Sequence, residues 1–218
     1  MILYGSSLSP FVRKTLAFAA EKGVELELRP TGSAPGQPSE EFIEASPLRK
    51  MPALRDGDYT LPDSSAIIHL LEAKFPEPAL IPSDPRLRGK TIWFEEFADT
   101  VACAAVGKIF FNRVVLPRFL GREGDLEAAA ACERDDLPPM FDYLESVVPD
   151  EGGFFVGDRL TLADLAVASP FANFQHCGVN VDAGRYPRTL AYVKMILARP
   201  SFSHWFEREK AFLAKEAA

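Results

Sequence analysis

Hydrophobic and polar positions follow two periods up to about residue 80, and only the helical one beyond it. A short apolar run, Ile2-Leu3-Tyr4, gives way to polar residues and then to helical spacing that reaches Lys22. Ser9 is a favoured N-cap residue, Pro10 suits the first helical position and Gly23 the stop. From Val24 to Arg29 apolar and charged residues alternate, which predicts a strand with one buried face. Strand, helix, strand is a parallel crossover unit. Residues 30–40, rich in Pro, Gly and Ser, predict a mobile loop, and the stretch from Glu40 to Ala45 one or two helical turns. The segments Pro52 to Arg55 and Tyr59 to Leu61 flank Asp56-Gly57, a strong hairpin signal. Ile67, Ile68, Leu70, Leu71 and Phe75 then have helical spacing from Ser64 onward. The sum is a βαβ plus ββα unit, an α/β thioredoxin-like domain expected over residues 1–78.

Pro76, Pro78, Pro82 and Pro85 make a linker that cannot be helical, because proline lacks the N–H and restrains the residue before it. Everything after it has helical spacing. One long helix is expected from Arg86 to about Arg113, another from Leu126 to Val148 with an interruption at Pro138-Pro139, and shorter ones from Leu162, Pro187 and Ser201. An all-α helical-bundle domain over 86–218 follows. Its sharpest local signal is Leu160-Thr161-Leu162-Ala163-Asp164-Leu165, where Thr161 and Asp164 have capping-box spacing and Leu160 with Leu165 that of a hydrophobic staple. That stretch is expected to be structural.

Composition adds exclusions. The net charge of -7 is spread over both halves, with 12 acidic against 8 basic residues up to Pro85 and 19 against 16 after it, which disfavours nucleic acid as a partner. Polar residues follow Tyr4 at once and no apolar run approaches a membrane span, so neither a signal peptide nor a membrane partner is expected, and the protein is expected to be cytoplasmic. Cys103, Cys132 and Cys177 are odd in number and widely spaced, against a disulfide framework or a zinc site. Cys103 and Cys177 read as small core residues and Cys132 as incidental. His69, His176 and His204 lack metal-ligand spacing, so no metal is expected.

Two places can carry chemistry. Unpaired N–H groups and the positive end of the macrodipole at the helix after Ser9 would stabilise a thiolate, lowering a thiol pKa from about 8.5. The Ser9 hydroxyl would stand in that field, or serve simply as a cap. Asp63-Ser64 opens another helix, where a hydroxyl and N–H groups bind carboxylates, and where either residue could equally be a cap. Lys50, beside Arg49, is either a counter-charge or an ordinary solvated lysine.

The Ser9-Pro10-Phe11-Val12-Arg13 turn, Met51-Pro52 before a short strand and Asp63-Ser64 at a helix start together resemble the glutathione-binding half of cytosolic glutathione transferases of the serine type. The Thr161–Asp164 motif resembles the cap of their helical domain, so the likeness spans essentially the whole chain. The resemblance implies a transferase in which Ser9 donates a hydrogen bond to the thiolate of glutathione, a cosubstrate, for attack on an apolar electrophile, with no permanently bound cofactor. It implies a cis Met51-Pro52 bond that lets the Met51 backbone pair with the tripeptide, although only about 5–6% of X-Pro bonds are cis. Lys50 would neutralise the glycine carboxylate, and Asp63 and Ser64 would hold the γ-glutamyl end. Phe11, Val106 and Phe110 are expected to line the electrophile pocket, Phe110 and Phe111 being unable to face one direction. A homodimer is implied, with Trp93, Phe94 and Phe97 on a partly buried interface helix and Asp99 reaching the partner's glutathione site. The fold also admits a noncatalytic binding or scaffold role, or glutathione-dependent peroxidase, isomerase or dehalogenase chemistry.

Overall fold

The computed structural model describes residues 1–34, 36–150 and 152–215, in two compact units, Met1–Leu80 and Ile81–Ala218. The first is built on a four-stranded sheet. Strand β1 (Ile2–Tyr4) leads through a polar turn into helix α1 (Pro10–Glu21), and β2 (Glu27–Arg29) returns parallel to β1. The α1 helix stops where Gly23 adopts φ 70°, a left-handed conformation that costs glycine little. Strand β2 is shorter than the alternation from Val24 predicts, because pairing starts only at Glu27 opposite Ile2.

Residues 30–40 are not the loop their composition suggests. Strands β3 (Gly32–Ala34) and β4 (Gln37–Pro38) pair antiparallel, with Pro35 outside the described residues. Gly32 is required there, since a Cβ would lie 1.8 Å from the Gln37 carbonyl oxygen. Helix α2 (Glu40–Ala45) follows, capped by Ser39 Oγ accepting Phe42 N–H at 3.2 Å. Strands β5 (Ala53–Asp56) and β6 (Tyr59–Pro62) form the expected hairpin, and helix α3 (Ser64–Lys74) closes the unit. The sheet order is β2-β1-β5-β6. Tyr4, Phe42, Ala45 and Ala53 form one buried cluster against the sheet. The Tyr4 hydroxyl donates to Glu41 Oε2 at 3.2 Å, which satisfies it inside the core.

The second unit is built of helices, and its first one departs from expectation. Helix α4 (Pro85–Glu96) starts at Asp84, whose Oδ1 accepts the Arg86 and Leu87 N–H groups. It runs without a break through α5 (Cys103–Phe110) to Phe119, beyond Arg113. Phe97–Ala102 and Phe111–Phe119 within it are π-helical. In each, a side chain takes an i−4 carbonyl, Thr100 that of Glu96 and Asn112 that of Lys108, offering that oxygen a donor other than backbone. Within Pro85–Phe119 an 18-residue window reaches a mean hydropathy of 1.3, which by length and composition alone would suffice for a membrane span. The core helix of a folded domain carries the same signal, and Ala98, Ala102, Val106 and Ile109 are buried where this one packs on its helical neighbours.

The expected interruption is present: helices α6 (Leu126–Asp135) and α7 (Leu137–Val147) meet at Asp136, and Pro138 and Pro139 fall in the first turn of α7. Proline is tolerated in a first turn because those N–H groups have no helical partner. Helices α8 (Leu162–His176), α9 (Pro187–Leu197) and α10 (Pro200–Lys215) complete the unit. Phe141 packs against Phe171, Phe174 and Tyr186 with ring centroids 5.3–5.7 Å apart. Phe94 and Phe97 are buried as well, on Phe155 and Tyr143, so of the three aromatic residues expected at an interface only Trp93 is exposed.

The Thr161–Asp164 capping box is present in both directions. Asp164, fully buried, accepts from Thr161 N at 2.7 Å, Thr161 Oγ1 at 3.0 Å, Phe155 N at 2.9 Å and the Tyr192 hydroxyl. Burial raises its pKa, and the hydrogen bonds from Tyr192, Phe155 and Thr161 oppose that rise. Cys132 is no incidental residue: it is buried on α6 and its Sγ donates to the Ala105 carbonyl at 3.5 Å. Cys103 is buried, and Cys177 only partly so, at the end of α8.

Candidate active site

Three strand ends define the site. Tyr4 ends β1 and pairs with Ala53, which begins β5 and pairs on its other side with Pro62, the end of β6. These three residues form one row across the sheet. The turn carrying Ser9, the Met51-Pro52 step and the Asp63-Ser64 step therefore all leave the same end of it, although 54 positions separate the first motif from the last.

Ser9 is the N-cap of α1 by its backbone, in extended conformation (φ -77°, ψ 125°), with its carbonyl accepting Arg13 N–H at 2.9 Å. Its side chain makes no cap hydrogen bond. The first N–H groups of α1 and a half-buried hydroxyl are thus left together at a positive helix end. Tyr4 could not supply that hydroxyl, being engaged with Glu41. Phe11 is half-buried on α1, whereas Arg13 and Lys14 are fully buried, which their charge does not foretell.

The Met51-Pro52 bond is cis, as is Glu77-Pro78, for which the sequence offers no signal. Pro52 is buried and Met51 is 38% exposed. Neither backbone group of Met51 has a hydrogen-bond partner among the described residues. An edge with a free donor and acceptor side by side can take up an extended peptide. Lys50 is exposed, and its ammonium has no ion pair among the described residues.

Asp63, not Ser64, is the cap of α3. Its Oδ1 accepts Ser65 N–H at 2.9 Å and Ala66 N–H at 3.0 Å, while its own N–H donates to the Pro52 carbonyl at 3.2 Å. It does so at φ 80°, ψ 133°, a conformation that non-glycine residues adopt only at a cost. Ser64 is the first helical residue, buried, with its N–H outside the bonds Asp63 satisfies.

The residues expected from the second unit stand as follows. Val106 is 1% exposed and belongs to the core, while Phe110 is half-buried at the end of α5 and Phe111 is exposed. Asp99 lies half-buried in the first π-helical segment. No group of three or more potential metal ligands occurs among the described residues. Sequence reasoning missed Ser46, a buried residue at the end of α2 whose hydroxyl bonds both backbone groups of Lys50. Its only local signal is a serine after a short helix.

The chain thus combines a thioredoxin-like unit, with a cis-proline edge and two helix N-termini at one end of its sheet, and an all-helical unit. Residues 3–79 match the model of the glutathione S-transferase N-terminal domain and residues 116–209 that of its C-terminal domain. A glutathione S-transferase of Hyoscyamus muticus is 31% identical over 211 residues, covering 95% of this chain and 98% of that protein. The chain belongs to the glutathione S-transferase family. A Drosophila melanogaster protein named "Probable maleylacetoacetate isomerase 1" is 32% identical over 194 residues, covering 85% of this chain and 73% of that one. Among solved structures, a glutathione S-transferase from Methylobacterium radiotolerans in complex with glutathione sulfonate superposes with a TM-score of 0.76 at 27% identity, covering 94% of this chain and 93% of that one.

Proposed function

We propose that the protein is a serine-type glutathione transferase in which Ser9 activates the thiol of glutathione. The observation that carries this reading is the Ser9 hydroxyl, left out of the cap at the N-terminus of α1, at the sheet end that also carries Met51-Pro52 and Asp63-Ser64. The hydroxyl donates to the thiolate, and the helix N-terminus adds its positive potential. Met51 pairs with the tripeptide backbone through its unused N–H and C=O. The N–H and hydroxyl of Ser64 take the γ-glutamyl carboxylate, with the Asp63 carboxylate beside them matching the neighbouring ammonium. Lys50 meets the glycine carboxylate. No covalent enzyme intermediate forms: catalysis consists of a lowered thiol pKa and proximity to an apolar electrophile, for which Phe11 offers half-exposed apolar surface on α1.

The protein acts as a homodimer in this reading, with Trp93 on the contact surface and Asp99 directed to the partner's site. Retention on immobilised glutathione together with conjugation of a chromogenic electrophile tests the reading. A protein that neither binds the resin nor accelerates conjugation contradicts it. A second reading, isomerisation with glutathione regenerated, is favoured by the 32% identity to the Drosophila protein. Consumption of one glutathione per product supports transfer, and catalytic use of glutathione supports isomerisation.

A further inference from the structure

Ser46 ends α2, its N–H donating to the Phe42 carbonyl at 2.7 Å, and it is 1% exposed. Its hydroxyl grips one residue twice, donating to the Lys50 carbonyl at 2.7 Å and accepting the Lys50 N–H at 3.0 Å. The Ser46 carbonyl also accepts Arg49 N–H at 2.8 Å, and Arg49 sits at φ 56°. That left-handed residue turns the chain back so that both backbone groups of Lys50 reach one oxygen. A buried hydroxyl with both roles filled holds its partner firmly, because leaving either bond unmade inside the protein is costly.

The Lys50 carbonyl belongs to the same peptide plane as the Met51 N–H, and in a trans peptide the two point in opposite directions. Drawing the carbonyl towards Ser46 therefore aims the Met51 N–H the other way. Met51 is the exposed residue before the cis proline, and neither of its backbone groups has a partner among the described residues. We propose that Ser46, which touches no ligand itself, is a positioning residue for glutathione: it presets the orientation of the Lys50–Met51 peptide so that the Met51 backbone receives the tripeptide without reorganising. This rests on the glutathione reading above. The hydroxyl acts on affinity rather than on the chemical step, since its bonds lie in the backbone that binds and not at the thiol.

The test compares wild type with Ser46→Cys, nearly isosteric but a weak hydrogen-bonding partner, and Ser46→Thr, which keeps the hydroxyl. Binding of S-methylglutathione is measured by calorimetry, together with steady-state kinetics. Ser46→Cys is expected to weaken binding and raise KM for glutathione about tenfold, with kcat at saturating glutathione within about twofold of wild type. Ser46→Thr is expected to restore affinity. Should Ser46→Cys not fold, Ser46→Ala supplies the same comparison. Loss of kcat with KM unchanged, or a Cys variant that binds like wild type, overturns the inference and leaves Ser46 a purely structural residue. A wild-type protein that fails to bind S-methylglutathione overturns the glutathione reading and this inference with it, an outcome separable from the first because it appears without any mutation.

Discussion

The N–H of Asp63 donates to the carbonyl of Pro52 at 3.2 Å, tying the cap of α3 to the cis proline across the start of the β5–β6 hairpin. Asp63 holds that bond at φ 80°, so its conformation carries strain of about 1–3 kcal/mol, while its carboxylate caps α3 for about 0.5–2 kcal/mol. The two effects separate by substitution. Asp63→Ala loses the cap and keeps the strain, whereas Asp63→Gly loses the cap and relieves the strain. Urea unfolding is expected to rank Gly above Ala by at least about 1 kcal/mol, with both variants binding glutathione more weakly than wild type. An Ala variant as stable as the Gly variant contradicts the strain.

Asp164 is a larger liability than a helix cap. Its removal orphans the Thr161, Phe155 and Tyr192 donors in a buried site, so Asp164→Ala is expected to cost about 3–5 kcal/mol, against about 1 kcal/mol for Thr161→Ala. Turnover per folded molecule is expected to stay unchanged in both. Equal unfolding midpoints for the two variants would contradict this difference.

These two sites show what was legible in the chain. The Thr161–Asp164 cap, the Asp56-Gly57 hairpin and the Ser9-Pro10 helix start are written in adjacent residues, and they form as the sequence predicts. Tertiary partners are not local. Nothing near Asp164 announces Tyr192, 28 positions away, and nothing near Ser46 shows that its hydroxyl closes on Lys50. Pro138-Pro139 marks the break between α6 and α7, although the break itself falls at Asp136, because proline is accommodated in the first turn of the second helix. Phe94 faces inward while Trp93 faces out because one residue rotates a helical position by about 100°. At the candidate site the residue types were readable, but their shared sheet end follows from the pairing of Tyr4, Ala53 and Pro62.

The cysteines carry a prediction of their own. Burial first, then the Asp136 carboxylate, pushes the Cys132 thiol up to about 11, and burial pushes that of Cys177 up to about 12. Both are thiols, not thiolates, at about pH 8. Alkylation with iodoacetamide followed by peptide mapping is expected to leave both unmodified in the folded protein and to modify both in urea. Rapid native labelling of either one contradicts their environment.

The homodimer is tested by sedimentation equilibrium at micromolar concentration. The expected mass is twice the 24.0 kDa of one chain, and Trp93→Ala is expected to weaken association. A species of 24.0 kDa throughout removes both the dimer and the role given to Asp99.

The activation of the thiol by Ser9 is tested most directly by the ultraviolet absorbance of bound glutathione thiolate against pH, in wild type and Ser9→Ala. Because the hydroxyl does not cap α1, its loss is expected to change stability little. It is expected to raise the pKa of the bound thiol and slow conjugation at neutral pH, a tenfold fall in the acidity of that thiol corresponding to about 1.4 kcal/mol, while affinity for glutathione changes less. Superimposable titration curves with equal turnover would contradict the assignment and leave the N-terminus of α1 to activate the thiol without Ser9.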